Sequence, residues 1–233
     1  TLSVSGFISF DDTTNTIKTT TGNITLIAGS GGINVGNLQA GVDRQPKASI
    51  INLTTVNGGN IVTGSIQSVG RDNPFIGIIS DGDLTINGPV TLTTNQDVGE
   101  ALLCIVASGN ITVKGDVVVN AYGKYATVGD IKICAGKNVT VTGAIDSQAK
   151  NSQSGVIYTA LASVEVHAGW NQDGPSTISL NGTHARASVS GAGSPQEVTY
   201  SSSANQELTT TNGSATAHIE INNDVTAPCP ECP

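Results

Sequence analysis

Short runs of alternating apolar and polar residues recur along the chain, each introduced by a glycine. The run reads Gly22-Asn23-Ile24-Thr25-Leu26, then Gly82-Asp83-Leu84-Thr85-Ile86, Gly109-Asn110-Ile111-Thr112-Val113 and, one residue looser, Gly136-Lys137-Asn138-Val139-Thr140-Val141. The last three begin at intervals of 27 residues, a period typical of stacked-repeat architectures. Ile111 and Val113 lie two apart and face one side of a strand, while Thr112 faces the other. The pairs Ile24/Leu26, Leu84/Ile86, Val139/Val141, Val164/Val166 and Ile178/Leu180 read the same way. A single coil of this length cannot bury its apolar row, so each must stack on its neighbours and add one strand to a parallel sheet at about 4.8 Å spacing. The alignment predicts Ile24, Leu84, Ile111 and Val139 in one inward column, with Thr25, Thr85, Thr112 and Thr140 in an outward row.

The match extends beyond the run itself. Ile78-Ile79-Ser80 before Gly82 corresponds to Ile105-Val106-Ala107 before Gly109, and Gly88-Pro89-Val90 after it corresponds to Gly115-Asp116-Val117. The glycines fall between strands, where a corner needs φ values that other residues resist. The chain divides into an N-terminal strand (1–16), a solenoid body (17–187) and a tail (188–233). Residues 1 to 12 alternate, with Leu2, Val4, Ile8 and Phe10 expected on one face, either capping the first coil or completing a neighbour's sheet. The tail is Ser- and Thr-rich through Ser201-Ser202-Ser203 and Thr209-Thr210-Thr211, a flexible stretch too polar to hold a core alone. One more alternating strand follows at 215–221, and then Pro228-Cys229-Pro230-Glu231-Cys232-Pro233.

Composition sharpens this all-β reading. Three Phe, four Tyr and one Trp leave the core to Ile, Val, Leu and Ala, and 28 Thr suit a half-buried β surface. No long run carries apolar residues at helical spacing. The absence of Met points to a processed, secreted chain. Six Asn-x-Ser/Thr triplets, at Asn23, Asn52, Asn110, Asn138, Asn181 and Asn212, are glycosylation candidates, although Asn23, Asn110 and Asn138 sit at the repeated corner. A net charge of −8 argues against nucleic acid, which needs clustered Lys and Arg. No stretch is long and apolar enough for membrane insertion as a helix.

Candidate chemistry is sparse. His167, His184 and His218 lack metal-site spacing. Asp81, Asp83, Asp116 and Asp130 could converge on adjacent coils as polysaccharide-cleaving carboxylates do, but they sit beside glycines, where Asp supplies turn hydrogen bonds. No enzymatic activity, metal or cofactor is expected. Cys104 and Cys134 lie on neighbouring coils, and the alignment sets Cys134 opposite Val106 rather than Cys104. Their Cα atoms then stand about 8 Å apart, beyond the disulfide limit of about 7 Å. They are read as a bulge-assisted disulfide or two buried thiols. Cys229 and Cys232 resemble half of a zinc knuckle or a redox pair, but a zinc site needs two more ligands and a redox motif a βαβ setting. In an oxidising compartment they read as cross-links to another subunit, with zinc shared between chains as the alternative.

Gly-Asn-Ile-Thr-Leu-Ile-Ala-Gly (22–29) and Gly-Asn-Ile-Thr-Val-Lys-Gly-Asp-Val-Val-Val (109–119) resemble the repeats of filamentous-haemagglutinin-type secreted proteins. The resemblance covers about residues 20 to 183 and implies a right-handed parallel β-helix on a bacterial surface. A Met-free, acidic, Thr/Gly/Val-rich chain ending in Cys-x-x-Cys is also similar to subunits of extracellular protein sheaths and surface layers. The expected function is a non-catalytic structural subunit of an extracellular filament, sheath or surface layer, whose partners are copies of itself. An adhesin or a glycan- or ice-binding solenoid, with cell-surface glycans as partners, is the alternative, and a polysaccharide-cleaving enzyme ranks behind it.

Overall fold

The computed structural model describes residues 1–10, 14–42, 49–71, 73–95, 99–124, 126–152, 159–171, 175–190, 195–200, 205–212, 214–223, 229 and 232. Seven coils of three strands stack along one axis. They are β1 (Leu2–Ser3), β2 (Phe7–Ser9) and β3 (Thr16–Thr19); β4 (Ile24–Ala28), β5 (Gly32–Asn34) and β6 (Asn37–Ala40); β7 (Ile50–Thr55), β8 (Ile61–Thr63) and β9 (Ile66–Gly70); β10 (Phe75–Ser80), β11 (Leu84–Ile86) and β12 (Val90–Asn95); β13 (Gly99–Ala107), β14 (Ile111–Val113) and β15 (Val117–Gly123); β16 (Ala126–Ala135), β17 (Val139–Val141) and β18 (Ile145–Asn151); and β19 (Thr159–Ala168), β20 (Ile178–Leu180) and β21 (Thr183–Val189). Strands β22 (Gln196–Tyr200), β23 (Gln206–Asn212) and β24 (Ala215–Asn222) follow. The first strands of the coils form one parallel sheet, the second strands another and the third strands a third. The chain is a parallel β-solenoid, and no helix occurs among the described residues.

The core consists of columns running along the axis. In the second sheet Ile8, Ile33, Ile61, Leu84, Ile111, Val139 and Ile178 stand in register. In the first sheet the column is Leu2, Leu26, Leu53, Ile78, Ile105, Ile133, Val166 and Ile221. Ile51, Leu53, Ile61, Ile76 and Ile78 are among the fully buried side chains. The expected pairings Ile78–Ile105 and Val90–Val117 are present. One expectation is corrected: Ile24 lies in β4 of the first sheet, beside Ile51, and not in the Leu84–Ile111–Val139 column. Thr25 therefore leaves the outward row, which runs Val62, Thr85, Thr112, Thr140 and Ser179. Period-two alternation fixes which side a residue faces but is identical in all three sheets.

The repeated Gly-Asn/Asp pair has a different physical cause from the one expected. Gly82 and Gly109 do not adopt positive φ; a Cβ there would collide with Asn60 Oδ1 and Asp83 Oδ1 of the preceding coil. Glycine is required so that a polar ladder can pass between coils. Asn60 Oδ1 accepts the Asp83 amide at 2.7 Å, and Asp83 Oδ1 accepts the Asn110 amide at 2.7 Å and Asn110 Nδ2 at 3.0 Å. Asn138 Nδ2 donates to Asn110 Oδ1 at 3.0 Å, and its Oδ1 accepts the Thr177 amide at 2.8 Å. The ladder supplies corner backbone groups with partners that the strands cannot provide.

The two ends of the stack differ. Residues 1–10 do not form one continuous strand: the chain turns at Ser5-Gly6 and contributes β1 and β2 to two different sheets, each paired with its own second coil. Leu2 and Ile8 both take core-facing positions, opposite Leu26 and Ile33, but in different sheets, so the four residues do not share one free face; Ile8 is buried, whereas Leu2 and Phe10 are exposed at the end of the stack. At the far end β22 pairs antiparallel with β21, and β23 pairs antiparallel with β24. The Thr209-Thr210-Thr211 run is thus an edge strand and not a flexible segment, whereas Ser201-Ser202-Ser203 lies outside the described residues. Arg186 ties the capping strand down, donating from Nε to Glu197 Oε1 at 3.0 Å and from Nη1 to Asp146 Oδ2 at 2.7 Å. The hydrogen bond to Glu197 is the main reason its pKa is raised.

Candidate functional site

Two places concentrate features beyond those the stack itself needs: the first coil and the outer face of the first sheet. In the first coil, β1, β2 and β3 each terminate their sheet and pair on one side only. Leu2, at the end of its core column, is 42% exposed, and Phe7 and Phe10 are 68% and 43% exposed. Val4 and Ile17 are only partly buried against the core. Among the described residues the core columns are therefore incompletely covered at this coil, whereas at the other end two of the three sheets finish in antiparallel strands and β20 ends the second sheet paired with β17 only. Exposed apolar side chains beside unpaired strand edges form a template for further pairing.

On the first sheet, β13 and β16 alternate regularly. Ala101, Leu103, Ile105 and Ala107 point inward, as do Ile131, Ile133 and Ala135. Cys104 and Cys134 therefore point outward, yet they are only 2% and 5% exposed. The register sets Val106 opposite Cys134 and Cys104 opposite Lys132, so the offset expected from the sequence holds. Neither of the two readings of this pair is realised. Cys104 is bonded to Cys232 and Cys134 to Cys229, with Cα–Cα separations of 5.7 and 5.9 Å. All four cysteines are consumed within the chain. The expected cross-link from Cys229 and Cys232 to another subunit is replaced by a double staple onto the chain's own body. Paired disulfides are compatible with an oxidising, extracellular location.

Beside the staple lies a set of outward ionisable groups on β16, β19 and β24. Lys132 Nζ stands 3.6 Å from Glu165 Oε2 and 3.9 Å from Asp130 Oδ2, and His167 Nε2 stands 3.0 Å from Glu220 Oε1. His218 Nδ1 is 2.7 Å from Thr209 Oγ1. Asp130 sits mid-strand, not at the corner expected for it, and its Oδ1 is buried without a hydrogen-bond partner. Burial raises its pKa, with Lys132 opposing. A carboxyl whose folded pKa is raised binds its proton more tightly folded than unfolded. It costs stability above its folded pKa and returns that stability as the pH falls towards the unfolded value. Asp130→Asn is accordingly expected to raise the urea midpoint at pH 7 and to reduce the stability gained on mild acidification. An unchanged midpoint at both pH values would show that this carboxylate is well solvated.

The other three carboxylates do not converge as a catalytic pair. Asp81 accepts the Gly58 amide at 2.9 Å, Asp116 the Ala144 amide at 2.9 Å, and Asp83 belongs to the ladder. A groove of about 440 Å³ runs along the second sheet past Asp83, Asn110 and Asn138 and the Thr85, Thr112 and Thr140 row. Among the described residues no group of three or more His, Cys, Asp or Glu could hold a metal ion.

The glycosylation candidates also separate. Asn110 and Asn138 have their side chains bound in the ladder, and Asn23 Oδ1 accepts the Ile50 amide at 3.2 Å. Asn52 is half-buried on the outer face of the first sheet, while Asn181 and Asn212 are exposed near the capped end. Comparison of the chain with protein-family models, with curated proteins and with solved structures finds no match in any of the three.

Proposed function

We propose that the protein is a non-catalytic structural subunit of an extracellular assembly and joins copies of itself through its first coil. The observation that carries this reading is the open end of the stack: three strand edges paired on one side, with Leu2 42% and Phe7 68% exposed beside them. Main-chain pairing across such an edge supplies many hydrogen bonds, and the apolar side chains supply anchors. The polar, lightly charged remainder of the surface suits lateral packing in a layer or sheath. Because the cysteines are paired within the chain, the contact between subunits is non-covalent, in contrast to the disulfide lock that the tail suggested.

Analytical ultracentrifugation of the purified chain and of Leu2→Lys/Phe7→Lys tests this. The parent chain is expected to form concentration-dependent higher species that run as single chains on both reducing and non-reducing denaturing gels. The variant is expected to remain monomeric with an unchanged melting temperature. A parent chain that stays monomeric into the millimolar range, or a variant that assembles equally well, overturns the reading.

A further inference from the structure

The double staple has an asymmetry that the fold alone does not require. Cys104 and Cys134 sit on adjacent strands offset by two residues. Their Cα atoms are therefore about 8 Å apart by strand spacing and rise, too far for a bond with each other. Cys229 and Cys232 stand in Cys-x-x-Cys spacing, which readily closes on itself. Both disulfides hold the tail against one patch of the outer face of the first sheet, so the four sulfurs lie in one neighbourhood. At residue level Cys229 and Cys232 are half-buried, whereas their partners are almost fully covered, so an incoming thiol meets the tail side first.

We propose that this staple is a single-step redox latch, in which one two-electron reduction releases both disulfides. A dithiol reductant opens Cys134–Cys229, becomes a cyclic disulfide and leaves two thiols. The Cys229 thiolate then attacks Sγ of Cys232, forming Cys229–Cys232 and expelling the Cys104 thiolate. Opening Cys104–Cys232 first leads to the same product, because Cys232 then attacks Cys229 and expels Cys134. The two protons of the reductant end on Cys104 and Cys134. One of the two disulfide equivalents is spent and the other is retained in the tail. The tail pair can resolve in this way because it can close, and the body pair cannot. The released body therefore carries two uncovered thiols that cannot seal each other and stay available to the tail of the same chain or of a second copy. The proposal stands independently of how the first coil assembles.

The test is reduction of the native chain with one equivalent of dithiothreitol under nitrogen, followed by acid quenching, N-ethylmaleimide labelling and peptide mass mapping. The expected main partly reduced species carries label on Cys104 and Cys134 and an intact Cys229–Cys232 disulfide. Loss of the second staple is expected to proceed at a rate independent of reductant concentration. In Cys229→Ser, by contrast, opening of Cys104–Cys232 should remain first order in reductant. Label on Cys134 with Cys229, or on Cys104 with Cys232, means that the staples open separately and overturns the proposal. So does direct passage to four labelled cysteines.

Discussion

Ile111→Asp is expected to abolish folding of the body. Ile111 is 1% exposed, with Leu84 on one side of it in its column and Val139 on the other. An aspartate there has no partner for its carboxylate, and neither ionisation nor protonation with an unpaired hydroxyl removes the cost. The penalty exceeds the roughly 4 to 5 kcal/mol that marks the extreme of single substitutions and approaches the whole stability of an ordinary domain. Thr112→Asp, one residue on but facing outward, is the matched control and should change the melting temperature little. Yield of folded protein and circular dichroism of the two variants read the result. An Ile111→Asp chain that melts like the parent would mean that this side chain does not face the core.

Much of this register was legible because the coils holding Leu84, Ile111 and Val139 keep nearly constant length and repeat their glycine. The earlier coils were harder. Gly59-Asn60-Ile61-Val62-Thr63 is the same phrase, but it begins 23 residues before Gly82 instead of 27, because the intervening coil is shorter. Ile24 falls in a different sheet from the one its phrase suggests for a related reason: Gly22-Asn23-Ile24-Thr25-Leu26 alternates correctly, and alternation carries no label for which of three equivalent faces a strand occupies. The offset of Cys104 and Cys134 followed from alignment alone and holds. Their true partners did not, because contacts separated by 128 and 95 residues leave no periodic trace. At the first coil the alternation of Leu2, Val4, Ile8 and Phe10 concealed a corner at Ser5-Gly6, because Leu2 and Ile8 keep the same inward parity on either side of it while belonging to different sheets.

Removing the staples is the second large effect expected, and it should be non-additive. Either disulfide alone closes a loop of about a hundred residues in the unfolded chain, worth about 5 kcal/mol in the chain-entropy account. Once one is closed, the second encloses only the stretch from Cys104 to Cys134 and the four residues from Cys229 to Cys232, which brings its share down to about 3 to 4 kcal/mol. Each single variant, Cys229→Ser or Cys232→Ser, should therefore lose the smaller amount, and the double variant more than the sum of the two. Independent contacts would instead simply add. The native solenoid should persist in all three, since the buried columns of Ile, Leu and Val do not include the tail. Urea unfolding followed by circular dichroism separates the cases. Equal midpoints for the parent and the double variant would show that the staples bind the tail without constraining the unfolding of the body. A double variant with no native circular dichroism would show that the coils cannot stack without them.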